Sequence, residues 1–421
     1  MIVLLSACGK KGGYQVGLGT ADITPEGQVY IAGNTSPIAA KGVDFPLEAK
    51  ACVIASGDTR AVFITLDTLK YPVELYEEAR AAIEKETGIP GENIMITSSH
   101  THSGPHYSTY DGELTGVMVN AVKDALKDLE PCRLGAAKTE VTGLSHNRRL
   151  LVDGEVWNDW MVQMSQPWNF YPSAGCLDPE LTLIAAITEE GNIKTVLWNY
   201  ACHANSGNTG NLSADYPGKV QAYLSEKLGK EIKTLYMTGP SGDVNPSNGT
   251  ESMGNKLGDA IISCLRDLTY IEDTEMKIGN EVFEIPGREN PVFNEEEIAE
   301  KWPDQLEGYR SSFESTKKYG SKGSVCYLNA VSFGKTAVIV SNPGELFSSL
   351  SLDIKNGSPF AYTLVTEQTN GALGYIPTVK DFELKGYETW FGEHSNLSKQ
   401  AGEKIAETSV KMTEKLYGTK E

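Results

Sequence analysis

The stretch KACVIASGDTRAVFITLDT (residues 50–68) decides the fold. Two β-rich apolar runs flank a Gly57-Asp58 turn signal, the pattern of a tight hairpin. VELYEEARAAIEKETG (residues 73–88) then shows helical periodicity and closes on Gly88, a C-cap residue. NIMITSSHTHSGP (residues 93–105) reads as a third strand running into a Gly/Pro loop.

The same order recurs twice, loosely. LTLIAAITEEGNIKTVLWNYACH (residues 181–203) is a hairpin, YPGKVQAYLSEKLG (residues 216–229) a helix, and KTLYMTGPSGDVNP (residues 233–246) a strand breaking into a loop. CYLNAVSFGKTAVIVSNPGE (residues 326–345), ELFSSLSLDIKNG (residues 345–357) and AYTLVTEQTNGALGY (residues 361–375) repeat it. The expected fold is therefore α/β: a mixed β-sheet core with flanking helices, built from β-β-α-β units. Residues 14–421 are read as one domain, with the charge-richer residues 268–323 as an insertion or cover. The second strands end near Asp67, His203 and Glu345, and the third near His100, the GDVNP loop and Tyr375. Ligands gather outside strand carboxyl ends in open α/β sheets, so a shared arrangement brings these residues together.

Composition narrows the partners. The 421 residues are 40% hydrophobic and 22% charged, normal for a globular chain with a sizeable core. A formal net charge of −19 argues against a nucleic-acid partner, because phosphate neutralisation needs a basic surface. The seven cysteines include no C-x-x-C pair, and most read as buried small hydrophobes; Cys8 is read differently. Cys8 follows Leu-Ser-Ala after a short apolar run, like the end of a bacterial lipoprotein signal. Residues 1–13 are thus expected to be a signal remnant and tether. A lipidated Cys8 would hold the chain at a bacterial cell envelope or in the periplasm.

Three of the six histidines, His100, His102 and His106, fall within seven positions. In an extended segment His100 and His102 project to one face. Such a pair either shares a metal, or has one ring ligate while its neighbour acts on water, or is simply hydrogen-bonded in a loop. His106 lies beyond the Gly104-Pro105 turn and is either substrate-side or structural. His203 reads equally as a strand-end histidine or a ligand. Glu345 opens the third helix and either serves its dipole or a metal. Tyr375 is either a packed aromatic or part of the site.

Set in order, these pieces resemble a family. ADITP (residues 21–25), SSHTHSGP (98–105), NYACHA (199–204), GDVNP (242–246), PGE (343–345), Tyr375 and Tyr387 are similar to the neutral ceramidases, from about residue 17 to residue 392. The chain is identified as a divergent bacterial member of the neutral/alkaline non-lysosomal ceramidases, matching their N-terminal catalytic domain. The resemblance implies one Zn2+ bound by His100, His203, Glu345 and Tyr375. It makes His102 catalytic beside the metal, and sets Arg148, of HNRR, and Tyr387 near the scissile amide. The implied activity is zinc-dependent hydrolysis of an amide in an N-acylated, ceramide-like lipid or related N-acyl compound.

Two departures stand out. The family's serine in GDVSP is Asn245 here, whose carboxamide cannot be a nucleophile but can donate to a carbonyl or oxyanion. The resemblance also brings a C-terminal immunoglobulin-like domain, which is expected to be absent here. A non-catalytic cell-envelope binding protein on the same fold is therefore the rival expectation, favoured by Asn245.

Overall fold

The computed structural model describes residues 13–33, 38–110, 112–162, 168–207, 209–289, 295–303, 306–319 and 323–418. Cys8 and the signal remnant expected there lie outside the described residues.

The first unit forms as expected. Strands β2 (Glu48–Ser56) and β3 (Thr59–Leu66) pair antiparallel around Gly57-Asp58, and helix α1 (Val73–Thr87) returns the chain to β4 (Ile94–Ser98), parallel to β3. Gly88 ends α1 at φ 72, a left-handed cap that costs a residue with Cβ far more than glycine. The second unit repeats this with β6 (Glu180–Thr188), β7 (Ile193–Asn199), α3 (Asp215–Leu228) and β8 (Lys233–Tyr236). The third does so with β10 (Ser324–Phe333), β11 (Ala337–Val340), α5 (Ser348–Gly357) and β12 (Tyr362–Val365).

The first two units share one sheet through β1 (Tyr14–Asp22) and β5 (Glu130–Glu140), in the order β8-β7-β6-β5-β1-β2-β3-β4. The third unit forms a second sheet, β9-β10-β11-β12, whose β9 (Met276–Ile285) falls inside the stretch read as insertion. The rest of that stretch includes helices Glu295–Lys301 and Leu306–Tyr319.

Both sheet faces are buried, which explains why ACVIA and AVFITL read as continuous apolar runs rather than alternating ones. Cys52, Ile54, Ala61 and Phe63 face the second sheet, packing in one cluster with Val331, Phe333 and Ile339. Ala51, Val53, Val62 and Ile64 face α1 and α2 (Glu113–Lys127) on the other side. Leu183, Val196 and Trp198 meet α3 and α4 (Thr250–Arg266). Leu328, Val338 and Val340 of the second sheet meet α5 and α6 (Ala401–Tyr417). The layers therefore run helix, sheet, sheet, helix. Gly17 and Gly19 let α2 lie against β1, since a Cβ there would sit 1.9 Å from the carbonyl oxygens of Ala125 and Ala121.

The inter-sheet core yields a prediction. Phe63 is fully buried, with its ring centroid 6.3 Å from that of Phe333. Phe63→Ala should lower unfolding free energy by about 3–5 kcal/mol in a chemical denaturation series.

Candidate metal centre

Loops after corresponding strands deliver the centre. His100 follows β4 in a left-handed turn, φ 59. That turn replaces the extended segment expected of His-x-His, and sets the His100 and His102 rings 5.1 Å apart at 88°. His203 lies beyond the end of β7. The helix expected to open at Glu345 starts only at Ser348. Glu345 instead sits in a two-residue strand, parallel to Tyr375–Ile376, with Glu345 and Tyr375 as register partners. Its amide donates to the Gly374 carbonyl at 2.9 Å, so a helix dipole does not account for this carboxylate.

Ligand atoms of His100, His102 and His203 all lie within 4.8 Å of one another. Backbone carbonyls fix how two of these rings face. His100 Nδ1 is 2.8 Å from the Leu69 carbonyl oxygen, and His203 Nδ1 is 2.7 Å from that of Ser241. A carbonyl only accepts, so Nδ1 carries the proton and, in the neutral ring, Nε2 turns its lone pair inward. Glu345 Oε2 faces both Nε2 atoms, at 3.4 Å from His100 and 3.3 Å from His203. His100 Nε2, His102 Nε2 and Glu345 Oε2 are buried without a hydrogen-bond partner. Buried lone pairs facing one another are costly unless a cation joins them. The donor set therefore fits a metal ion.

The electrostatics agree. Burial works against the charged form of Glu345, but His100 and then His203 outweigh it and hold the carboxyl well below its usual range. Burial also opposes charge on His100, yet Glu345 lifts its pKa above the ordinary value. Burial, and then Arg148, push His203 down to about 4. Burial and the two neighbouring rings push His102 well down as well. One positive charge at the middle is favoured; several protons are not.

The remaining residues singled out from sequence gather around this point. Arg148 Nη1 lies 3.2 Å from His203 Nε2, and its guanidinium carbon is 5.2 Å from the Tyr375 ring centroid. Tyr387 packs edge-on to Tyr375 at 5.7 Å, and burial pushes its phenol up to about 12. Burial also drives the Tyr375 phenol well above its ordinary value. Asn245 Oδ1 is 3.5 Å from Arg148 Nη1, while its Nδ2 donates to both oxygens of Asp159 at 3.0 Å. His106 is apart: exposed, with Nδ1 2.7 Å from Ser108 Oγ.

Sequence reading missed the acidic residues behind this shell. Fully buried Glu388 accepts from Arg148 Nε and Arg149 Nη1 at 2.8 Å each, and from Asn158 Nδ2 at 2.5 Å. Glu367 accepts from the Ser241 amide at 2.9 Å, and burial pushes its carboxyl up to about 8. A lone glutamate beside Tyr387 carries no spacing signal, although two adjacent arginines in HNRR already require an acidic partner if buried.

The model of the family "Neutral/alkaline non-lysosomal ceramidase, N-terminal" matches residues 14–239. Neutral ceramidase A of Dictyostelium discoideum is 25% identical over 276 residues, covering 56% of this chain and 36% of that protein. Neutral ceramidase of Pseudomonas aeruginosa is 26% identical over 241 residues, 52% of this chain and 34% of that one. The match thus spans only about a third of the length of these relatives. The crystal structure of the Pseudomonas aeruginosa neutral ceramidase aligns with a TM-score of 0.77 at 16% identity, over 97% of this chain and 75% of that one. A ceramidase complexed with C2 aligns at 0.74, also at 16% identity, over 96% and 75%. With a family model covering more than half of its sequence and the same fold beneath it, this chain belongs to the neutral/alkaline non-lysosomal ceramidase family.

Proposed function

We propose that this protein hydrolyses the amide bond of an N-acylated, ceramide-like lipid, with one zinc ion held by His100, His203, Glu345 and Tyr375. The observation that carries this reading is the convergence of buried Nε2 and carboxylate atoms that lack hydrogen-bond partners. Nitrogen and oxygen donors in this number suit zinc. When bound, the ion supplies a Lewis acid and lowers the pKa of water to about 7.

The chain's own groups supply the rest. His102 is kept neutral, so its Nε2 can take a proton from attacking water and return it to the leaving nitrogen. Arg148 is held rigidly by Glu388 and offers fixed positive charge where the carbonyl oxygen becomes negative. Tyr387 remains a protonated phenol and can donate to the same oxygen. Trp160, 47% exposed, lies over Arg148 at 4.9 Å and meets Tyr387 edge-on at 5.5 Å, an apolar wall suited to an acyl chain.

The rival reading, a binding protein on the same fold, draws on Asn245. Its amide hydrogens go to Asp159, so it offers no nucleophile and has its donor engaged elsewhere. Asn245→Ser separates the two. Appearance or increase of ceramide hydrolysis shows machinery that is otherwise intact. No turnover of any N-acyl lipid before or after the change favours binding.

Two further outcomes are expected. Protein purified without added metal or chelator should carry about one zinc per chain by elemental analysis, and His203→Ala should lose it. No bound metal, and no uptake when zinc is offered, rejects the zinc reading. On an N-acyl sphingoid substrate, Tyr387→Phe and Arg148→Ala should each reduce kcat about 10²-fold, with KM changed far less. A rise in KM alone would assign both residues to substrate binding.

A further inference from the structure

A second set of side chains meets in hydrogen-bond order beside the metal centre. Ser145–Asn147 and Val244–Pro246 pair antiparallel, with Asn245 opposite His146. His146 Nδ1 is 2.9 Å from Ser247 Oγ, and His146 Nε2 is 2.9 Å from Asp159 Oδ2. His146 is buried, whereas Ser247 is half-buried.

Proton positions follow from the donor inventory. Asp159 is kept charged: burial opposes this, but hydrogen bonds from His146 and Asn245 outweigh it and hold the carboxyl below its usual value. A carboxylate only accepts, so His146 Nε2 carries hydrogen. In the neutral ring the lone pair is then at Nδ1, and there the Ser247 hydroxyl donates to it. A serine O–H on a base whose other nitrogen is oriented by a carboxylate is the arrangement that activates a nucleophile. Here the two ring nitrogens exchange their customary roles. The helix Thr250–Arg266 begins three residues later, which brings its positive end to the same loop.

We propose that Ser247, His146 and Asp159 form a second nucleophilic site, independent of any metal, that acts on acyl esters. Ser247 Oγ bonds to the carbonyl carbon as its proton passes to His146 Nδ1. The bond from that carbon to the alkoxy oxygen then breaks, and the departing alcohol takes the same proton. Water next attacks the acyl-serine, giving a proton to His146. The carboxylic acid leaves, and the proton returns to Ser247 Oγ.

The test is covalent labelling of the whole chain with an alkyl fluorophosphonate, which forms an Oγ–P bond and releases fluoride. Peptide mass spectrometry should find the adduct on Ser247, at equal rates with and without EDTA. Ser247→Ala should remove it, and His146→Gln should slow it about 10²-fold or more. Asp159→Asn should slow it as well, which supplies a second variant should His146→Gln fail to give a native circular dichroism spectrum and melting curve. Absence of label on Ser247 in folded wild-type protein overturns the proposal, as does labelling at an unchanged rate in a folded His146→Gln or Asp159→Asn variant. Zinc content is measured separately, so failure here leaves the amide-hydrolase reading standing.

Discussion

Two backbone carbonyls, those of Leu69 and Ser241, govern the centre of this molecule. By accepting from Nδ1 they leave the Nε2 lone pairs of His100 and His203 pointing at one carboxylate oxygen. If the carbonyls lay elsewhere, either ring could rotate and satisfy itself with a local donor. Fixed as they are, His100 Nε2 and Glu345 Oε2 are left buried without a hydrogen-bond partner, and a positive charge between them meets that demand. The Ser241 carbonyl is itself held: its own amide and hydroxyl both donate to buried Glu367. Control of His203 thus reaches two residues back from the centre.

The double-sided burial of the large sheet brings those carbonyls and rings together. With helices on one face and the second sheet on the other, the strands cannot slide without exposing a whole apolar row. The third strands of the units lie at the two ends of the large sheet and in the second sheet, and their run-outs are joined directly: Thr238 Oγ1 donates to the Ser98 carbonyl at 2.7 Å, and the Glu367 amide to the Thr238 carbonyl at 2.8 Å. The left-handed turn at His100, unusual for a residue with Cβ, is held by this frame.

Much of this was legible in residues. The three hairpin–helix–strand units show in alternating turn and helix signals, and their strand ends named His100, His203, Glu345 and Tyr375 as neighbours. Layering was not legible, because ACVIA looks the same whether one sheet covers it or two. Glu345 misled for a local reason. SNPGE followed by apolar residues resembles a helix start, but pairing with Tyr375, far along the chain, captured its backbone. Asp159 and Glu388 gave no signal because their partners, His146, Arg148 and Arg149, are distant in sequence or shared.

Asn245 illustrates how distance decides a role. Its Oδ1 sits 3.5 Å from Arg148, at the limit of a hydrogen bond, whereas Glu388 takes the same guanidinium at 2.8 Å with full opposite charge. Arg148 is therefore oriented by Glu388, and loss of the Asn245 carbonyl changes little for it. The stronger bonds of Asn245 run the other way, from Nδ2 to both oxygens of Asp159. A serine at this position has one hydroxyl hydrogen and a shorter reach, and would leave Asp159 with one fewer donor. The departure from the family's serine is thus coupled to the Asp159–His146 pair rather than to the metal ligands. Exchanging residue 245 acts first on that pair, and only through it on the neighbouring hydroxyl of Ser247.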